Sequence, residues 1–379
     1  MALAILAPEV LEKMRAADVL VPAPLAVSAS GRIDEKQQRL LTRYYIECGA
    51  SSVIPGTHTG QFARGDPALY RHWLELNAGM IEHNGYRKRM FKMAAVGGRG
   101  AFDMLRAAAS AGYDIVMVAP TALVDTKGAP LDEKDSLKLL REMAEVIPVY
   151  GFYLQKAVGG RDFSADFWSG LFEFAYGAKA APFSREKTDQ LMNAAVRSPR
   201  LESLVMTTGN DDYIVGDLLK QWRDPQRPGR KLLFSAGLLG HFATDTAAAV
   251  RLVGKVKRYR EKLERNGGPT EQETADIIRL AGAVTSMNYA LFDTADLPGS
   301  PPFANCVYGV HYRLSRLGVI CAETDIRWPN GNSGFRLEKG RPGLEAEIDQ
   351  AYSSRGELTD DAFLTPELLK HWKAELEGN

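Results

Sequence analysis

The chain has 379 residues, with 47 Lys plus Arg against 47 Asp plus Glu, so its formal net charge at pH 7 is zero. Binding to nucleic acid or to an anionic membrane needs a basic surplus or patch, so neither partner is expected. No uncharged run approaches the ~18 residues that a membrane span needs, and an apolar start without a basic segment argues against a signal peptide. The cysteines (Cys48, Cys306 and Cys321) lack metal-ligand spacing, which predicts reduced thiols in a cytoplasmic protein without a metal site.

Short apolar runs alternate with longer amphipathic runs from about residue 19 to residue 263, a pattern typical of repeated βα units around a parallel sheet. Eight runs predict strands, at 19–27, 52–54, 92–96, 115–118, 148–153, 175–179, 204–207 and 231–235. Helices are predicted at 34–48, 67–84, 100–112, 131–146, 164–174, 184–196, 211–222 and 242–263. Helix starts are expected at Asp66, Ser164 and Ser184, and helix ends at Gly49 and Gly112.

Eight βα units favour a closed (β/α)8 barrel, a TIM barrel, over an open doubly wound sheet. An open dinucleotide-binding sheet carries a glycine fingerprint after its first strand, whereas residues 28–31 read Ser-Ala-Ser-Gly. Beyond Glu264 the pattern changes to helices, predicted at 271–289, 303–317, 344–352 and 366–376, with a polar Gly/Pro-rich stretch at 327–342. We therefore predict a catalytic barrel over residues 1–264 and a C-terminal helical extension over residues 265–379.

Lys179 ends the sixth predicted strand, at the edge where barrel enzymes place their active-site residues. Desolvation at the barrel mouth lowers the pKa of a lysine, and a neutral amine attacks a ketone or aldehyde to form an imine. The protonated imine then withdraws electrons from an adjacent bond that is to be broken or made. The alternative is a surface lysine that begins the next loop.

Tyr153 ends the fifth predicted strand, which neighbours the sixth in a barrel. We therefore expect Tyr153 to meet Lys179 at the mouth and to relay the protons that imine formation requires. The alternative is a packed aromatic side chain.

The loop after the second strand contains Thr57, His58, Thr59 and Gly60. Its backbone amides and hydroxyl groups suit a substrate carboxylate, and His58 is expected to add charge or to relay protons. The alternative is a tight turn that contains a histidine with its hydrogen bonds satisfied.

Gly209 and Gly237 lie where the seventh and eighth strands end. Glycine loops at these positions often hold phosphate in barrels, and they serve equally for close packing over a small substrate. Four other histidines, His72, His83, His311 and His371, lie in predicted helices and receive no role. Paired carboxylates and a Ser-His-Asp order do not stand out, and we expect no cofactor.

Taken in order, these landmarks make residues 25–253 resemble the dihydrodipicolinate synthase and N-acetylneuraminate lyase family of class I aldolases. Residues 57–61 (Thr-His-Thr-Gly-Gln) are similar to the family's GTTGE, residues 177–179 to its lysine-bearing G-I-K, and residues 209–211 to its G-x-D, while Tyr153 matches the tyrosine of YNxP. The resemblance implies a Schiff base between Lys179 and pyruvate or another 2-oxo acid, with Tyr153 as proton shuttle and Thr59 on the carboxylate. It also implies a homo-oligomer, either a dimer or a tetramer.

The sequence also departs from the family pattern. The first threonine of the family motif is His58 and its glutamate is Gln61, the tyrosine pair after strand 4 becomes residues 120–122 (Pro-Thr-Ala), and the expected arginine is Val158. These changes remove the groups that grip aspartate semialdehyde, so the resemblance implies a lyase other than true dihydrodipicolinate synthase.

Three hypotheses follow from the sequence. The first is a Schiff-base lyase (an aldolase, retro-aldolase or dehydratase) acting on a 2-oxo acid through Lys179. The second is a barrel that has lost catalysis and binds a 2-oxo acid as a regulatory or binding protein. The third is a phosphate-binding barrel enzyme that uses the loops after strands 7 and 8, whose melting temperature phosphate would raise.

Overall fold

The computed structural model describes residues 2–28, 31–298, 300–320, 327–330, 334–337 and 340–377. Eight parallel strands form one sheet in the order β2-β1-β8-β7-β6-β5-β4-β3. Their bounds are β1 (Val19–Pro22), β2 (Ser52–Ile54), β3 (Met93–Val96), β4 (Ile115–Val118), β5 (Val149–Leu154), β6 (Gly177–Ala181), β7 (Val205–Thr208) and β8 (Phe234–Leu238). The edges β2 and β3 approach each other where the amide of Ala95 donates to the carbonyl of Pro55 at 2.9 Å. The predicted (β/α)8 barrel is therefore confirmed.

A first helix, α1 (Pro8–Ala16), was not predicted from the sequence. Its buried residues Val10 and Met14 belong to the same apolar cluster as Leu20 of β1, Met93 of β3 and other inward-facing strand residues. The helix therefore covers the amino-terminal end of the barrel, which leaves the carboxyl ends of the strands for the site.

Eight helices alternate with the strands: α2 (Glu35–Glu47), α3 (Pro67–Glu82), α4 (Ala101–Ser110), α5 (Glu133–Ala144), α6 (Ala165–Leu171), α7 (Arg185–Arg197), α8 (Ile214–Leu219) and α9 (Thr246–Leu263). The expected helix starts are confirmed, because the side chains of Asp66, Ser164 and Ser184 each accept a backbone amide of the first turn. The expected ends are confirmed too, since Gly49 and Gly112 adopt φ values of 92° and 71°, which favour glycine.

The predicted strand 231–235 is wrong in its bounds. Residues Trp222–Asp224 and Arg227–Leu232 form an antiparallel hairpin outside the barrel, and the barrel strand β8 begins at Phe234. The predicted segment therefore covers the end of one strand and the start of another. The apolar run 232–234 crosses this junction, so hydrophobicity alone could not locate it.

The four helices predicted beyond the barrel are present, as α10 (Glu271–Leu291), α11 (Cys306–Arg316), α12 (Leu344–Tyr352) and α13 (Pro366–Glu377). Within the predicted polar stretch 327–342, Arg327–Asn330 and Gly334–Leu337 pair as an antiparallel hairpin, while residues 331–333 and 338–339, like Cys321, lie outside the described residues. Among the helices of the described chain, none is long and apolar enough to span a membrane.

A buried ionic network joins the extension to the barrel. Arg313 of α11 donates to Asp245 at 2.7 Å and to Asp361 at 2.8 Å. The neighbouring carboxylate of Asp360 accepts the amides of Ala247 and Ala248, the first turn of α9, at 2.8 and 2.7 Å. The carboxylate thus caps the last barrel helix and holds the C-terminal helices against the barrel.

Side chains on each strand alternate between the barrel interior and the helical layer, and this alternation positions the site. On β5, Tyr150 and Phe152 belong to the inner apolar cluster, whereas Val149 and Tyr153 belong to the cluster under the helices. Phe152 lies opposite Lys179 of β6 in the strand register, and Tyr153 lies one residue further along.

Candidate active site

The sequence predicted a strand that ends at Lys179, whereas β6 continues to Ala181, so Lys179 is the third of its five residues. The side chain lines a cavity at the barrel mouth, with a residual exposure of 7%. Its Nζ atom lies 4.5 Å from the centroid of the Phe152 ring. Burial lowers the pKa of Lys179, and the negative charge of Asp211 opposes part of that effect. A larger fraction of this lysine is therefore neutral than of a lysine at the surface. The neutral amine is the nucleophile that imine formation requires.

Gly209 allows this placement of the lysine. A Cβ atom at residue 209 would lie 2.3 Å from Cε of Lys179 and 2.9 Å from Cβ of Ala181. The amide of Gly209 donates to the carbonyl of Ala180 at 2.6 Å, which keeps this backbone close to β6. The glycine after β7 therefore makes room for the lysine, which is the packing alternative considered for this position.

Tyr153 does not meet Lys179, so that expectation is wrong. Its ring packs outside the strand layer against Trp168 and Phe163, with centroids 5.0 and 6.2 Å away, and burial raises its pKa to about 12. Because successive side chains of a strand point to opposite faces, Phe152 lies beside the lysine instead. Within the described chain, the position facing Lys179 from β5 therefore carries no hydroxyl group.

The loop after β2 brings Thr57, His58 and Thr59 into the cavity wall beside Lys179. The Thr59 hydroxyl donates to the carbonyl of Pro22 at 2.6 Å, and the hydroxyl oxygens of Thr57 and Thr59 are 3.0 Å apart. Because the Thr59 proton is used on Pro22, Thr57 is the donor within the pair. Both hydroxyl protons are therefore engaged, and both groups face a ligand as acceptors.

Gly60 has a packing role in this loop. A Cβ atom there would lie 2.6 Å from the Trp73 ring and 2.9 Å from the carbonyl oxygen of Ala23. The turn is closed by the amides of Gln61 and Phe62, which donate to the carbonyls of His58 and Thr57.

His58 is buried, and burial together with the charge of Lys179 lowers its pKa to about 4. Burial therefore disfavours the positive charge expected of His58 near neutral pH, while its expected proton relay stays a prediction. Its Nδ1 atom lies 3.9 Å from Sγ of Cys306, which enters the site from α11 of the extension. Burial raises the pKa of the Cys306 thiol to about 12.

Asp211 lines the same cavity, although the sequence analysis noted it only as part of a motif. Burial raises the pKa of Asp211, with the charge of Lys179 opposing the rise. Its Oδ1 atom has no hydrogen-bond partner within the described structure. A buried carboxyl oxygen without a partner beside a buried lysine is the combination of groups that sequence reasoning missed.

Gly237 lies outside this cavity. A Cβ atom there would meet the Phe242 ring at 2.3 Å, so this glycine allows close packing in the helical layer. Gly240, two residues beyond β8, lines the cavity instead. Gly209 and Gly237 therefore both serve packing.

Two adjoining cavities occupy the barrel mouth. The inner one, around Lys179, has a volume of about 60 Å³. The outer one, of about 520 Å³, lies between the loops after β2 to β5 and the start of α11. The two share wall residues: His58, Val158, Phe303 and Cys306. A substrate reaching Lys179 thus has a confined reacting end and a roomier distal end.

Comparison with known proteins was made by sequence and by structure. Neither a protein-family model nor a curated protein matches the sequence. Solved structures match over most of the chain, among them YagE from E. coli, a prophage protein of the dihydrodipicolinic acid synthase family in complex with pyruvate (13% identity, 89% of this chain and 97% of that chain covered, TM-score 0.64).

Two further structures match as well. One is a putative dihydrodipicolinate synthase family protein from Coccidioides immitis (14% identity, coverage 93% and 98%, TM-score 0.65). The other is a variant of 2-keto-3-deoxygluconate aldolase from Sulfolobus solfataricus (13% identity, coverage 92% and 99%, TM-score 0.64). The resemblance inferred from the sequence motifs is thereby confirmed at the level of the fold, which is that of the dihydrodipicolinate synthase family.

Proposed function

We propose that this chain is a divergent member of the dihydrodipicolinate synthase and N-acetylneuraminate lyase family, a class I lyase that forms a Schiff base between Lys179 and pyruvate or another 2-oxo acid. The observation that carries the proposal is the buried lysine on β6, which lines a small cavity at the barrel mouth. Its lowered pKa provides the neutral amine for attack on a carbonyl carbon. The neighbouring structure that holds pyruvate supports a 2-oxo acid as the substrate class.

Residues Thr57 to Gly60 form the second part of the proposal, as the binding site for the substrate carboxylate. Thr57, His58 and Thr59 line the cavity next to Lys179. Because both threonine protons are engaged within the described contacts, backbone amides of this loop are the donors we assign to the carboxylate.

The outer cavity supports a neutral acceptor or leaving group. Its polar lining comes from His58, Thr121, Asn305 and Tyr308, and the lining within the described chain includes no arginine, lysine or carboxylate. Lys156 pairs with Asp162 at 2.7 Å, and Arg161 donates to Ser136 at 2.6 Å, so these two cations near the mouth are engaged elsewhere. A neutral aldehyde or polyol fits this chamber better than a second carboxylate.

The test is borohydride trapping with pyruvate, read by intact and peptide mass spectrometry. We expect a reduced pyruvyl adduct on Lys179, no adduct in Lys179→Ala, and a normal adduct in the control Lys156→Ala, whose side chain is 67% exposed. Well-folded protein that forms no adduct with pyruvate or a panel of 2-oxo acids would refute the proposal.

A second candidate is a non-catalytic barrel that binds a 2-oxo acid. Phe152 beside the lysine, with the Tyr153 ring on the opposite face, favours it, because the phenol of the family motif is then absent from the cavity. Calorimetry that detects 2-oxo acid binding without turnover, and equally in Lys179→Ala, would support this candidate over the lyase.

A homo-oligomer, either a dimer or a tetramer, completes the proposal. Helix α10 carries two exposed apolar side chains, Ile278 and Tyr289, which are 67% and 51% exposed. Light scattering coupled to size-exclusion chromatography measures the state directly, and a monomeric mass at micromolar concentration would exclude it.

A further inference from the structure

The inner cavity contains a buried amine and a buried carboxyl group that the family resemblance does not connect. Lys179 reaches the cavity from β6, and Asp211 reaches it from the loop after β7. Oδ1 of Asp211 lies buried without a hydrogen-bond partner within the described chain. Such an atom costs free energy in the unliganded protein, and a substrate atom or a water molecule beside the lysine would satisfy it.

The other protic groups of the cavity are poor proton donors. The hydroxyl protons of Thr57 and Thr59 are engaged in hydrogen bonds: Thr57 donates to Thr59, and Thr59 donates to the carbonyl of Pro22. His58 has a pKa of about 4 and is neutral in the working range, while the Cys306 thiol has a pKa of about 12. The Tyr153 ring lies on the far face of β5.

We propose that Asp211 is the acid–base residue of imine formation at Lys179, in place of the strand-5 tyrosine. This role rests on the proposed Schiff-base function. The carboxyl group lines the same small cavity as the amine and reaches it from the neighbouring strand's loop, so both can contact one carbonyl group.

The chemistry balances with no further reactant. The lone pair on Nζ of Lys179 forms the C–N bond as the carbonyl π bond breaks, and the Asp211 carboxyl proton passes to the oxygen. The carboxylate then takes a proton from the nitrogen and returns it to the hydroxyl group, so that water leaves. The products are the protonated imine, one water molecule and the Asp211 carboxylate, which hydrolysis of the imine reprotonates.

The two groups titrate as a pair. Burial lowers the pKa of Lys179 and raises that of Asp211, which favours the form with a neutral amine and a neutral acid. A second proton converts the amine to ammonium at lower pH, and loss of the shared proton removes the acid at higher pH. Among the described residues, the ionisable groups around the pair are His58, Cys306, Tyr352 of α12 and Asp212, the last of which pairs with Arg185. The rate of imine formation should therefore be bell-shaped in pH.

The experiment compares wild type with Asp211→Asn, mixing each with pyruvate and quenching aliquots with borohydride over time. Asn keeps the shape and the hydrogen-bonding capacity of the side chain but cannot deliver a proton. We expect adduct formation to slow by about 10²-fold, the usual size of general acid–base assistance, with the alkaline limb of the pH profile lost. The matched control is Asp212→Asn, which removes a carboxylate that pairs with Arg185; it should keep the bell-shaped pH profile.

If Asp211 acted only through its charge, Asp211→Asn would change the rate of adduct formation in the opposite direction. The Asp211 charge raises the pKa of Lys179, so removing that charge would increase the neutral amine and accelerate the reaction. A rate that stays the same or increases in folded Asp211→Asn would overturn the proposal. If Asp211→Asn does not fold, Asp211→Glu keeps the acid and should retain the alkaline limb, and its loss would count equally against the role.

Formaldehyde serves as a second carbonyl probe, because it forms an imine without recognition of a carboxylate. Reductive methylation of Lys179 by formaldehyde in wild type, without any pyruvate adduct, would refute the 2-oxo acid function and leave the role of Asp211 to the same comparison of rates. The two proposals thus fail separately.

Discussion

Gly209→Ala is the substitution whose effect the structure predicts most directly. The φ angle of Gly209 lies outside the left-handed region, so alanine brings no backbone strain. Its Cβ would lie 2.3 Å from Cε of Lys179, and ordinary contact begins at 3.4 Å, so the lysine must shift by about 1 Å. The second contact, 2.9 Å to Ala181, is with a strand residue that cannot rotate away.

Retreat of the loop is also blocked, because the amide of Gly209 bonds the carbonyl of Ala180. We expect overpacking to lower the free energy of unfolding by about 1–3 kcal/mol. A 1 Å misplacement of a reacting group costs on the order of 10²-fold in rate, and we expect a loss of that size in adduct formation with pyruvate.

The assay combines urea unfolding with timed borohydride quenching. The control is Gly79→Ala in α3, where an added Cβ meets nothing within 4 Å. That change should stabilise the protein by about 0.5–1 kcal/mol, because alanine is the better helix former, and should leave the adduct rate unchanged. Normal stability and a normal adduct rate in Gly209→Ala would refute the argued contact between this glycine and the lysine.

Three further predictions follow from the same structure. Tyr153→Phe should leave the rate of adduct formation unchanged, because the ring packs on Trp168 outside the cavity; a large loss would restore the shuttle role inferred from the motif. Phe152→Tyr, which places a phenol beside Lys179, should recover part of the rate lost in Asp211→Asn, and no recovery would count against an exchangeable proton donor. Asp360→Ala should lower the free energy of unfolding by about 2–4 kcal/mol, because it leaves two buried amides of α9 without their acceptor. Urea unfolding measures this change. The control Asp349→Ala removes an exposed partner of Tyr312 and is expected within about 0.5 kcal/mol of wild type.

The barrel was predictable because its strands are buried on both faces and its helices are amphipathic. Every residue of β3 and of β4 is buried, and turn residues delimit both strands, so composition alone located them. The failures have local causes. The apolar run 232–234 passes from a hairpin strand into β8 without a turn signal, and α1 reads as an irregular N-terminus because it buries only two residues.

A site residue was predictable where its own position on a strand was enough to place it. Lys179 lies two residues before the end of β6, and an inward-facing position that close to the strand end is sufficient to place it at the mouth. Tyr153 was not placed correctly because every residue of β5 is buried. The sequence of this strand therefore has no polar–apolar alternation that shows which side chains face the barrel interior. Cys306 comes from the extension, more than 240 residues from its neighbour His58, and no local pattern connects the two. The unpartnered oxygen of Asp211 depends on packing from several loops.

The single-residue offset between Phe152 and Tyr153 determines which element has to supply the proton. A phenol at residue 152 would share the strand register with Lys179 and face it directly. With phenylalanine there, strand 5 offers the lysine a ring face, which stabilises the ammonium and does not transfer protons. A donor must then come from a loop, and Gly209 brings the loop after β7 against the lysine so closely that the next acidic residue, Asp211, lines the same cavity. The glycine that makes room for the amine therefore also positions the acid, so Gly209→Ala should impair both the attack and the proton transfer.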